Sequence, residues 1–156
     1  MANFDTDNFR QLVEVNIVGA FNILQNAARD VTDGGSIIAL TTSLVRFAAP
    51  GLGPYSATKA AVECLIRSMS KELAGRKIRV NGVAPGPVDT DLFRSGKDEA
   101  AIQRSAGMSP FNRVGQPEEV ADLVVFSALK EPVWLMVRVS SSMEEKAKAF
   151  KRKIAL

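Results

Sequence analysis

Apolar positions along this chain recur at two different periods. Between Asp5 and Arg29, the residues Phe9, Leu12, Val13, Val15, Ile17, Val18, Phe21, Ile23 and Leu24 return at helical spacing. They predict a helix over residues 7–29, capped by Thr6 or Asp5, with a stripe wide enough to require burial on more than one side. Two further runs are short and unbroken. Ser36-Ile37-Ile38-Ala39-Leu40 and residues 78–83 suit strands covered on both faces. Gly34-Gly35 turns the chain into the first, Thr41-Thr42-Ser43 ends it, and Pro85-Gly86-Pro87 stops the second.

Between and beyond these runs the punctuation is clear. Residues 44–53 contain Pro50, Gly51 and Gly53 and read as a loop, and Pro54 fits the first turn of a helix over residues 54–74. Cys64 shares that helix's apolar pattern with Ala57, Ala61 and Leu65, which predicts a small buried side chain. Residues 91–113 are polar and weakly helical, in the manner of a flap. Gln116-Pro117-Glu118-Glu119 opens another helix, with Val120, Leu123, Val124 and Ala128 as its apolar face. Residues 134–139 read as a third strand, and residues 140–156 as a tail whose basic helix sets Met143, Ala147, Phe150 and Ile154 on one side. Strands alternating with helices of this length indicate parallel βαβ units. The class is α/β, with about three strands flanked by helices, a catalytic domain over residues 1–139 and the tail after it. In such sheets ligands gather at the carboxyl ends of strands, here residues 41–43 and 84–90.

Composition narrows the chemistry. The absence of histidine removes the commonest metal ligand and the usual base near neutral pH, and a single cysteine leaves neither a disulfide nor a thiolate cluster, so no metal is expected. The net charge of +3 is dispersed apart from residues 146–153. With one tyrosine and one tryptophan there is no basic face interleaved with aromatics, so no nucleic-acid partner is expected. Residues 1–7 carry no basic stretch followed by an apolar run, and no window nears the length of an uncharged span, so neither a membrane partner nor export is expected. A reduced, cytoplasmic setting follows as the expectation.

Tyr55 and Lys59 stand four apart at the start of a helix and share one face. An ammonium beside a phenol favours the phenolate and lowers the tyrosine pKa from its usual value of about 10, so that it can exchange a proton with an alcohol or carbonyl oxygen. Ser43 lies twelve residues earlier at a strand end, where its hydroxyl can meet the same oxygen. Asn16 is an amide within the most apolar helix and needs a partner there. Each alone has an ordinary structural reading, as a surface pair, a capped loop or a satisfied core amide.

Together they do more. Asn16 in Val15-Asn16-Ile17-Val18-Gly19, then Ser43, then Tyr55-Ser56-Ala57-Thr58-Lys59, then the run from Arg79-Val80-Asn81-Gly82 through Pro85-Gly86-Pro87-Val88-Asp89-Thr90, resembles the short-chain dehydrogenases/reductases in order and spacing. Gly115-Gln116-Pro117-Glu118-Glu119-Val120-Ala121 is similar to the start of that family's next helix. The resemblance implies a partial Rossmann-like parallel sheet and an NAD(P)-dependent oxidoreductase. Hydride would pass between NAD or NADP and a small-molecule secondary alcohol or ketone. It makes Tyr55 the general acid in reduction and base in oxidation, and Lys59 the group that tunes it and bonds the nicotinamide ribose. Ser43 would orient the substrate oxygen, and Asn16 would hold a water relaying protons to Lys59. Pro85, Gly86, Val88 and Thr90 would lie along the nicotinamide end of the cofactor. It also implies a homo-oligomer joined through helices 7–29 and 54–74.

The sequence departs from the family by having no Gly-rich phosphate turn and no residue that selects NAD or NADP. Gly51-Leu52-Gly53 precedes Tyr55 and reads as a loop. The expectation is a catalytic, C-terminal part cut before the dinucleotide-binding half. A catalytically dead interaction module derived from such an enzyme is the alternative.

Overall fold

The computed structural model describes residues 2–47 and 49–129. Its first helix is one rod in three parts: α1 (Thr6–Val13), a π-helical segment (Glu14–Val18) and α2 (Gly19–Asp30). The Asp5 carboxylate accepts from the Asn8 N–H at 2.9 Å and caps it. Then follow β1 (Ser36–Leu40), a 3-10 turn (Ser43–Val45), α3 (Gly53–Glu72), a second 3-10 turn (Ala74–Arg76) and β2 (Arg79–Val83). Two short helices, α4 (Asp91–Arg94) and α5 (Glu99–Ala106), and then α6 (Pro117–Ala128) complete the described residues.

β1 and β2 pair in parallel, with Ser36 opposite Arg79 and Leu40 opposite Val83, and α3 is the crossover between them. The sheet of the described residues has these two strands. The predicted third strand, at residues 134–139, and the tail helix lie outside the described residues. Alternation along the strands builds a core on each side. Ile37, Leu24, Ile66 and Ile78 close one core, under α2 and α3. Val83 and Leu123 centre the other, with Ile38, Val120, Val124 and Phe126 packed around them under α6.

Two arginines at the start of β2, Arg76 just before it and Arg79 its first residue, finish helices they do not belong to. Arg76 donates to the carbonyls of Ala28, at 2.5 Å, and Val31, and pairs with Asp33 at 2.8 Å. Arg79 donates to Ser127 O and Ala128 O, each at 2.9 Å. Carbonyls at a helix C-terminus have no intrahelical donor, so each guanidinium satisfies a pair of them and locks its helix to the sheet. The start of α6 is held differently. Glu119 pairs with Arg113 and accepts from the Gln116 N–H at 2.7 Å, which together pull its carboxyl below its usual range to about 2.

Three expectations need correction. Cys64 is exposed: the inward face of α3 is Pro54, Thr58, Val62 and Ile66, and Cys64 lies off that line. Ala128 is exposed as well, and Ser127 is buried in its place by donating its hydroxyl to Leu123 O at 2.8 Å. The broad stripe on the first helix is not covered on more than one side. Leu24 is its single buried residue, whereas Val15 is 65% and Ile23 72% exposed. One helix can present only one face to a sheet, so the remainder of so wide a stripe stays bare unless something else packs on it.

The crossover helix lies close on β2 because residue 82 has no side chain. A Cβ built on Gly82 would fall 2.7 Å from Ile66 Cδ1. Gly82→Val is expected to cost about 1–3 kcal/mol through overpacking, read as a lower denaturation midpoint, with Gly82→Ala smaller because the Ile66 terminus can rotate away.

Candidate active site

The site forms where β1 ends and α3 begins. Pro54 sits in the first turn of α3, where its missing N–H does no harm, and Gly51, at φ 81°, supplies the left-handed turn that leads in. Tyr55 and Lys59 thereby sit on the first turns of the helix, against the end of β1. The Lys59 ammonium donates to Leu40 O at 3.3 Å and lies 6.0 Å from the centroid of the Tyr55 ring. An ammonium has three N–H donors, so this anchor leaves it able to bind further oxygens.

A hydroxyl meets the Tyr55 phenol, and it belongs to Thr42. Thr42 is buried and extended, and its Oγ1 accepts from the Leu44 N–H at 3.4 Å. That leaves its proton for the phenol oxygen, which stabilises the phenolate. Sequence reasoning selected Ser43 and passed over its neighbour. The signal was present in the three consecutive hydroxyls of Thr41-Thr42-Ser43, but nothing local ranks them.

The electrostatics differ from the sequence expectation. Burial pushes the Tyr55 phenol above its ordinary pKa, against the smaller opposing effect of the Thr42 hydrogen bond, and burial pushes Lys59 below its own. Desolvation penalises the charged form of each group, and at this separation it outweighs their mutual attraction. Both shifts disfavour the charged form relative to water.

Ser43 begins the 3-10 turn, and its N–H donates to Pro85 O at 2.9 Å, which joins the tips of the two strands. A Cβ on Gly86 would lie 3.8 Å from Ser43 Oγ, so the Ser43 hydroxyl faces the loop after β2. That loop carries Pro85, Gly86, Val88 and Thr90 and is pinned at its far end. Val88 bridges Gly115, the Asp89 N–H donates to Gly115 O at 2.8 Å, and the Gly115 N–H donates to Pro87 O at 2.9 Å. Thr90 caps α4 through the Phe93 N–H at 3.1 Å. One edge of the Arg94 guanidinium holds both Asp89 oxygens, Nε to Oδ1 at 2.5 Å and Nη2 to Oδ2 at 2.8 Å, which holds the carboxyl below the usual range.

Asn16 reaches the site from the π-helical segment. Its Nδ2 donates to Thr58 Oγ1 at 3.1 Å, and the Thr58 hydroxyl donates to Tyr55 O at 2.7 Å. The structure therefore brings Asn16, from the first helix, against Thr58 on the turn of α3 that carries Tyr55 and Lys59, with Thr42 acting on the phenol and Ser43 one residue on. Spare ammonium donors, a phenol and an exposed Gly86 between two prolines fit a ribose diol approaching a flat ring. Among the described residues no group of acidic, histidine or cysteine side chains is arranged to hold a metal.

Comparison with known proteins follows the same line. A family model described as enoyl-(acyl carrier protein) reductase matches residues 1–132. The chain is 42% identical over 141 residues to a short-chain type dehydrogenase/reductase of Picea abies, covering 89% of this chain and 52% of that one. It is 40% identical over 137 residues to an NADPH-dependent aldehyde reductase-like protein, chloroplastic, of Arabidopsis thaliana, covering 86% and 51%. The structure resembles that of the angucycline C-6 ketoreductase LanV with bound NADP, with a TM-score of 0.79 and 31% identity, over 86% of this chain and 52% of that one. The chain thus spans about half the length of the curated relatives it matches.

Tyr55 is the sole tyrosine, so phenolate absorbance titrates it alone. The midpoint is expected above about 10, and Thr42→Val is expected to raise it further by removing a bond that favours the phenolate. An unmoved midpoint in that variant would show that Thr42 does not act on the phenol.

Proposed function

Since this chain belongs to the short-chain dehydrogenase/reductase family of oxidoreductases, we propose that it carries the acid–base half of an NAD- or NADP-dependent interconversion of a secondary alcohol and a ketone. The observation that carries this reading is the Lys59 ammonium, anchored to Leu40 O at 3.3 Å at the tip of β1, standing 6.0 Å from the centroid of the Tyr55 ring one helical turn away. The nicotinamide, when bound, supplies or accepts the hydride. Tyr55 gives its proton to the carbonyl oxygen in reduction and takes it back in oxidation. Thr42 stabilises the phenolate left behind, and Ser43 orients the substrate oxygen. Lys59 binds the ribose hydroxyls, and its positive charge, once a second oxygen has replaced lost water, favours the phenolate. Asn16 holds a water that passes protons toward Lys59. Pro85, Gly86, Val88 and Thr90 border the nicotinamide ring. An open groove of about 320 Å³ lined by Leu44, Val45, Arg46, Ala49, Gly53 and Ser56 lies beside the site and suits a partly apolar carbonyl compound.

The chain spans about half its relatives' length, so cofactor binding by these residues is tested directly. Nicotinamide fluorescence on titration with NADH and NADPH should show binding, and none at millimolar cofactor counts against the nicotinamide reading. Where turnover is seen, Tyr55→Phe should abolish it, by at least about a hundredfold, with cofactor affinity little changed, while Lys59→Ala should weaken both. Retained turnover in the phenylalanine variant overturns the assignment.

The bare part of the first helix has a consequence for assembly. Phe9, Val15, Phe21 and Ile23 are exposed along it, and Ala57 and Cys64 are exposed on α3. Apolar area of this kind favours self-association through helices 7–29 and 54–74. Light scattering after size exclusion should give a dimer or larger at micromolar chain, and a compact monomer would refute it.

A further inference from the structure

Thr58 is 1% exposed and sits on the turn between Tyr55 and Lys59. We propose that it is a positioning residue that fixes both the orientation of the Asn16 amide and the pose of the Tyr55 turn, a proposal that rests on the reading of Tyr55 as the acid–base group. A threonine hydroxyl has one proton, and here it goes to Tyr55 O at 2.7 Å. Its oxygen can therefore only accept from Asn16. Of the two ends of the Asn16 amide, only the NH2 end donates, so Nδ2 must face Thr58, as it does at 3.1 Å. Oδ1 is then directed away from Thr58 and is left as a fixed acceptor.

The bond joins residues 42 apart in sequence, and it does so at the one stretch where the first helix is wound as a π-helix, Glu14–Val18. A π segment shifts the helix's facing by part of a turn, and such segments cost helical hydrogen bonding. The Asn16 to Thr58 bond offsets part of that cost and ties the shifted face to the first turns of α3. If the tie is cut, the turn bearing Tyr55 loosens, water enters, and the desolvation that raises the phenol pKa is relieved. Lys59 and Thr42, which act on the ring, remain in all the variants below.

The test reads the single tyrosine in the full chain, without cofactor or substrate. Thr58→Val keeps the shape and removes the hydroxyl, Thr58→Ser keeps the hydroxyl, and Asn16→Ala removes the donor while leaving Thr58 intact. Asn16→Ala should lower the Tyr55 titration midpoint by roughly half a unit and Thr58→Val by at least as much, because it also removes the bond to Tyr55 O, and the double variant should move it no further than Thr58→Val. Thr58→Ser should titrate as the parent. Should Thr58→Val fail to fold by circular dichroism, Asn16→Ala against Thr58→Ser decides alone. A midpoint unmoved in Asn16→Ala, a shift in Thr58→Ser equal to that in Thr58→Val, or shifts that add in the double variant would each overturn the proposal. Because this readout needs no turnover, an inactive chain would leave the bond standing, and an unmoved midpoint would leave the role of Tyr55 standing.

Discussion

The separation between α3 and the sheet sets the rest of this structure. Helix and strand approach as closely as they do because Gly82 leaves room for Ile66, whose terminal methyl would otherwise be met at 2.7 Å. From that distance Lys59 can reach Leu40 O, Thr42 can reach the phenol of Tyr55, and Thr58 can receive Asn16 from the neighbouring helix. Glu63, two turns from Tyr55, completes the seating by accepting from Arg46 at 2.6 Å and Thr41 at 3.4 Å. Raise the helix by the thickness of a side chain and these contacts lengthen together, since a hydrogen bond weakens steeply beyond its normal range.

Packing so tight has an electrostatic consequence. Burial moves a half-buried phenol's pKa up and a half-buried ammonium's down, so charge on either is less favoured here than in water. Charge in such a place is stabilised by what is brought to it. Ribose hydroxyls on the lysine and a polar oxygen on the tyrosine are the kind of groups that would favour the charged forms again.

Around this centre the fold is asymmetric in how it is covered. Both sheet faces have cores, yet Leu40 at the strand end is 52% exposed and much of the first helix's apolar stripe is bare. The two arginines that close α2 and α6 hold the layers in place without apolar area, by giving guanidinium donors to carbonyls that have no others.

Periodicity and punctuation determined where the elements lie. The strand over residues 36–40, the helix opened by Pro54 and the helix opened by Gln116-Pro117 follow from short-range physics: alternation, caps and the missing proline N–H. The Tyr55 and Lys59 pair was legible for the same reason, because four residues on a helix is a fixed geometry. Whatever depended on contacts between elements was not. Cys64 and Ala128 fit their helices' apolar patterns and still face outward, since a pattern does not state which face meets the sheet. Strict alternation would place Thr41 and Ser43 together and Thr42 opposite, yet the chain leaves β1 at Leu40, and it is Thr42 that meets Tyr55. The direction of both pKa shifts turned on burial, a property of three dimensions. Sequence alone put Tyr55 and Lys59 on one helix face and a run of hydroxyls at a strand tip; the folded packing decided which hydroxyl acts on the phenol, which amide end faces Thr58 and which way the two pKa values move. Distances between segments far apart in sequence exist only once the helices have docked.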